Sequence, residues 1–117
     1  MSKLQYKICV IVLGISYHMF IKHNNKAYKL NKKGKKEKAQ KAAKRAIEIG
    51  LAICLGYKEV EKAANCMNKK IKNGHYMTNS EYKAHCYILS VSESLYLRAE
   101  QVREAGLCLH NDFFKGE

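Results

Sequence analysis

Proline and tryptophan are both absent from the 117 residues, and aspartate occurs once, at Asp112. Without proline nothing in the chain forces a break in a helix, and the turn-rich punctuation of a β fold is missing, so long uninterrupted helices are expected. One aspartate, with glutamates on polar helix faces, leaves little from which to build a carboxylate pair for glycosidic or acid–base chemistry. The seven glycines are scattered. Neither G-x-G-x-x-G nor G-x-x-x-x-G-K-S/T occurs, so nucleotide hydrolysis has no phosphate loop to rest on.

Cysteine is present in an odd set of five: Cys9, Cys54, Cys66, Cys86 and Cys108. Most stand in apolar contexts that read as helix interior, which suggests small buried hydrophobes in a reducing, cytoplasmic setting rather than a disulfide framework. No C-x-x-C is found. His85-Cys86 and Cys108-Leu109-His110 are the nearest approaches to ligand pairs, and neither has a second pair at zinc spacing, so neither a metal nor a cofactor is expected. Adjacent helical residues point about 100° apart. His85 and Cys86 therefore read as a boundary histidine beside a core cysteine, not as a base beside its nucleophile.

What the chain does have is positive charge, +12 formally, concentrated in one place. Lys22 to Arg45 holds eleven Lys or Arg against one acid, Glu37, whereas Ser80 to Glu117 is mildly acidic, with four basic and six acidic groups. Such asymmetry calls for an acidic partner.

The longest stretch free of charged side chains is Ile8 to Ile21, ICVIVLGISYHMFI. Its 14 residues fall short of the roughly 20 that a membrane-spanning helix takes. Lys3, Lys7 and Gly14-Ile15-Ser16 imitate a signal peptide, but His18 and the flanking lysines argue for an element buried in protein. Its β-branched residues also suit a strand. Length without turn residues favours helix from about Lys3 to Lys22, ended by His23-Asn24-Asn25.

Lys26 to Gly34 reads as a basic loop. A second helix is expected from Lys35, with Ala39, Ala42, Ala43, Ala46, Ile47 and Gly50 on one face, and with Ile49 to Tyr57 buried on all sides up to a cap at Gly56. A third, about Lys58 to Lys72, carries Val60, Ala63, Ala64, Met67 and Ile71 inward and stops at Gly74. Thr78-Asn79-Ser80-Glu81 fits a capping box, flanked by Met77 and Tyr82 at the staple positions, and should start a fourth helix. That helix should run to about Ala105 on the stripe Ile88, Val91, Leu95, Ala99, Val102, stop at Gly106, and be followed by a tail that folds back. The architecture expected is an all-α, compact four-helix bundle, a single domain over residues 1–117. Ile11 and Leu51 should share its core.

Arg103 and His110, with six residues between them, resemble the Arg–His signature of HEPN-type ribonucleases. The resemblance implies a small helical bundle whose Arg and His line an RNA-cleaving cleft at a dimer interface. In this chain Glu104 stands where that family usually has a small polar residue.

The residues themselves favour a non-enzymatic binding module. Basic groups contact phosphate, and aromatic or amide groups can stack on or bond to bases. The contact residues expected are Lys22, Lys26, Tyr28, Lys29, Lys32, Lys33, Lys35, Lys36, Lys38, Lys41, Lys44 and Arg45, with RNA or DNA as partner. The alternative is an accessory factor or inhibitor, of the kind viruses and mobile elements encode, docking the same face on an acidic or nucleic-acid-binding protein surface. A membrane, with Ile8 to Ile21 inserted and the lysines on anionic lipid heads, is the least expected partner.

Overall fold

In the computed structural model, which describes residues 1–115, the chain is all-helical: α1 (Lys3–Lys32), α2 (Lys36–Lys72) and α3 (Asn79–Phe114). Two of the three starts are chemically closed by reciprocal caps. Ser2 Oγ accepts from the Gln5 amide at 3.1 Å and Gln5 Oε1 accepts from the Ser2 amide at 2.7 Å. At α3 the expected capping box is present, with the Glu81 amide donating to Thr78 Oγ1 at 3.1 Å and the Thr78 amide donating to Glu81 Oε1 at 3.0 Å. Tyr82, at the far staple position, is nevertheless exposed.

Both helix ends that lead into turns finish on a left-handed glycine. Gly34 has φ 78° and Gly74 φ 84°, a conformation open to glycine without a Cβ penalty. The Lys35 amide reaches back to the Leu30 carbonyl at 3.0 Å and the His75 amide to Lys70 at 2.9 Å, which satisfies carbonyls that the last turn would leave free.

The four helices expected from the sequence are three, because stops read from local residues are overridden by burial. Asn24-Asn25 does not end α1, and Lys26 to Lys32 is helix rather than loop, since Ala27 is fully buried one turn further on. Gly56 is not a cap: α2 runs through it, and a Cβ there would lie 3.0 Å from Leu13 Cδ2. The glycine serves close approach of α1 to α2. Gly106 likewise does not stop α3, which continues to Phe114 with Leu109 fully buried, so the tail extends the helix instead of folding back.

The core is a file of small α2 residues with larger ones set against it. Ala39, Ala42, Ala43, Ala46 and Gly50 are buried, with Phe20 of α1 and Val102 and Leu109 of α3 among the residues that fill the space. A second cluster toward the other end joins Tyr6, Val60, Ala84, Ile88 and Leu95. The α3 stripe is as expected, with Ile88, Leu95, Ala99 and Val102 buried and Val91 half-buried. The molecule is a rod of 60 × 24 × 16 Å.

Two burial expectations are corrected. Ile8 to Ile21 is buried on one face only: half-buried Leu13 and buried Phe20 turn inward, as Tyr6 does just before the stretch, while Ile8, Ile11, Val12, Ile15 and Met19 are exposed. Nor is Ile49 to Tyr57 buried all round, because Leu51 and Leu55 face solvent beside buried Ile53. Ile11 and Leu51 therefore share no core; each is 61% exposed. A rod three helices thick gives each helix one inner face, so an all-apolar segment must leave its other side outside. By length and composition alone α1 could cross a bilayer, with an 18-residue stretch of mean hydropathy 1.5 that is 11% buried.

The cysteines also depart from expectation. All five are free thiols, with Cys66, Cys86 and Cys108 exposed and Cys9 and Cys54 half-buried. In the His85-Cys86 pair it is the histidine that is buried, its Nδ1 lacking a hydrogen-bond partner, while the thiol faces out.

Candidate nucleic-acid interface

Helix α1 runs into α2 through a turn at Lys33-Gly34-Lys35, so the two basic stretches, separate in sequence, lie side by side as an antiparallel hairpin. The alanine face of α2 lets α1 come close, with Ala27 buried among Ala42, Ala43 and Ala46. Every long cationic side chain is consequently turned outward. All eleven Lys and Arg from Lys22 to Arg45 are exposed.

Between the two helices is an open groove of about 470 Å³. Its walls are His23, Lys26 and Leu30 from α1, Lys35 from the turn, and Lys38, Lys41, Ala42 and Arg45 from α2. Among the described residues no acidic side chain lines it. Among the described residues the ion pairs within 4.0 Å are His75–Glu81 and Arg103–Glu100, and neither includes a basic-segment cation. Of the remaining expected residues, Lys22, Lys29 and Lys32 lie on α1 outside the groove. Lys33 and Lys36 stand at the turn, and Lys44 lies further along α2.

Tyr28 is placed differently from its lysine neighbours. Its hydroxyl donates to Asp112 Oδ2 at 2.6 Å and its ring packs on Phe113 with centroids 5.4 Å apart. Burial, reinforced by Asp112 as acceptor and as negative charge, lifts its pKa well above the ordinary 10.0. The ring is committed to holding α1 against α3.

Of the groove residues outside the expected contact set, His23, Leu30 and Ala42, His23 is the titratable one. Its pKa is held below the ordinary 6.5, first by burial and then by the positive charges of Arg45, Lys26 and Lys22. The signal for it is the three-residue step to Lys26, legible only once α1 is known to continue past Asn25.

Arg103 and His110 are brought together. With α3 unbroken at Gly106 they stand seven residues apart, two turns along one face, and line one groove of about 230 Å³ with Ile47, Leu51, Cys54 and Leu107. The Arg103 guanidinium is held by Glu100 at 3.0 Å and the His110 ring lies near Phe114. Among the described residues no three His, Cys, Asp or Glu side chains gather as a metal site would need.

Comparison of the chain with protein-family models, with curated proteins and with solved structures finds no match.

Proposed function

We propose that this protein is a helical nucleic-acid-binding module that takes a phosphate backbone into the groove between α1 and α2. The observation that supports this is the convergence of Lys26, Lys35, Lys38, Lys41 and Arg45 on one groove with no acid among its lining residues. Cations held this close repel one another, and an anion entering the groove relieves that repulsion while releasing its own counterions. With Tyr28 committed to α3, no Tyr, Phe or Trp is among the described residues that line the groove, and the His23 imidazole is the one ring there. Binding is then expected to position phosphates without reading bases.

The test is the salt dependence of binding to short RNA and DNA. Affinity should fall with a log–log slope of about −0.7 to −0.9 per phosphate neutralised. Replacing Lys35, Lys38, Lys41 and Arg45 with Gln should flatten that slope by several units and weaken all sequences alike. The fold should persist, since Gln is nearly as good a helix former. No binding at low salt, or a slope that the four substitutions leave unchanged, overturns the reading. Copurification of an acidic protein that survives nuclease treatment would transfer the same groove to the accessory-factor reading.

A catalytic reading has one supporting observation, the shared groove of Arg103 and His110. RNA cleavage lost in both Arg103→Ala and His110→Ala would establish it, and RNA left intact by the unsubstituted protein would end it.

A further inference from the structure

The outer face of α1 carries an unbroken apolar stripe that the basic groove does not use. Leu4, Ile8, Ile11 and Ile15 recur at the four- and three-residue steps of a single helix face and are 52–67% exposed, with Met19 continuing the line. The next residues on the same line are Lys22, Lys26 and Lys29, and Lys3 and Lys7 flank its other end. From Leu4 to Met19 the stripe is about 22 Å long at 1.5 Å per residue. Patches of this kind on soluble chains mark a surface that something covers.

We infer that this face of α1 docks in the plane of an anionic lipid bilayer, its isoleucines in the acyl boundary and its lysines among the headgroups. Charge decides the occupant. Helix α1 contains six lysines and no Asp or Glu, so an anionic surface meets cations at both ends of the stripe and no opposing charge anywhere along it. A second copy of the chain fits less well. Two α1 faces laid parallel bring Lys22 against Lys22, and laid antiparallel bring Lys22 near Lys3, with no acid on either helix to relieve the contact.

The helix lies on the bilayer rather than through it because its opposite face is already occupied. Tyr6, Phe20 and Ala27 are at most 3% exposed, and the Tyr17 and Tyr28 hydroxyls donate to Gln101 and Asp112 of α3. Withdrawing α1 to span a membrane would expose that face and empty the core. Lying flat needs only the side chains already outside, at a depth of about 5–10 Å.

The experiment is flotation of the full chain with vesicles of phosphatidylcholine alone and with phosphatidylglycerol added. The expected result is flotation with the anionic vesicles, loss of it with phosphatidylcholine alone, and a partition reduced roughly tenfold for each isoleucine removed in Ile11→Ser/Ile15→Ser. These positions are exposed, so circular dichroism and nucleic-acid affinity of the double variant should match those of the parent, which keeps this test separate from that of the groove. Absence of flotation with anionic vesicles at low salt overturns the inference. So does flotation that the double variant retains in full, which would mean that the lysines alone hold the surface. A dimer seen by light scattering and abolished by Ile11→Ser/Ile15→Ser, without vesicle binding, would assign the face to a second copy and also overturn it.

Discussion

The hydroxyl of Tyr28 donates a 2.6 Å hydrogen bond to the carboxylate of Asp112, joining α1 to α3 across 84 positions of sequence. The only aspartate in the chain is thus used to tie the end of one helix to the end of another, in the region where the cationic hairpin also lies.

Tyr28→Phe should therefore lower stability by about 1 kcal/mol, the worth of a partly exposed hydrogen bond to a charged group. Chemical denaturation would show a lower midpoint at unchanged slope. Nucleic-acid affinity should not change, because the ring faces Phe113 and not the groove. A large loss of affinity without loss of stability would return Tyr28 to the interface.

His23 gives the proposed interface a pH dependence whose sign follows from its surroundings. In the free protein burial and the cations Arg45, Lys26 and Lys22 keep its pKa below 6.5, so as pH falls the unfolded chain takes the proton first and this histidine then opposes folding. A phosphate in the groove adds negative charge and raises that pKa, so binding takes up a proton. Affinity at fixed salt should rise as pH is lowered from about 7.5 to 5.5, and His23→Gln should remove the histidine's share of the rise.

Two glycines inside helices should respond in opposite directions. Around Gly14 no atom lies within 4 Å of an added Cβ, so Gly14→Ala should stabilise by about 0.5–1 kcal/mol through backbone entropy and helix propensity. At Gly50 a Cβ would already lie 3.1 Å from Val102 Cγ1 and 3.2 Å from Phe20 Cε2. Gly50→Leu should destabilise by about 1–3 kcal/mol through overpacking, read as a lower melting temperature.

Ile11→Asp and Leu51→Asp should both yield soluble, helical protein, with stability changed by no more than about 1 kcal/mol, since both side chains are on the outside. Phe20→Asp is the contrasting case. That side chain is 1% exposed, and an unpaired carboxylate there carries a penalty of several kcal/mol, a large part of the stability of a small domain. Soluble expression and circular dichroism separate the two outcomes.

Features that depend on residues close in the chain were legible without the structure. The start of α3 is one, since Thr78 and Glu81 satisfy each other's amides within four residues and need no partner. The alanine file of α2 and the Ile88–Val102 stripe of α3 are others, because a polar face opposite an apolar one leaves no choice of which side turns inward. The outward band of lysines follows equally from composition, as such charges stay in water unless paired.

Tertiary packing alone decided where the helices continue and which side of an all-apolar helix is covered. Gly56 reads locally as a stop and is in fact the place where Leu13 presses on α2. Asn24-Asn25 reads as an end and is carried through because Ala27 is wanted in the core. Between Ile8 and Ile21 no side of α1 carries a charged residue, so periodicity cannot rank the sides. The position of α2 and α3 buries Tyr6 and Phe20, half-buries Leu13 and leaves Ile8, Ile11 and Ile15 outside. Hydrophobic burial is proportional to area and blind to direction, so the sequence supplied apolar surface on every side of that helix, and only the shape of its neighbours determined which part of it was hidden.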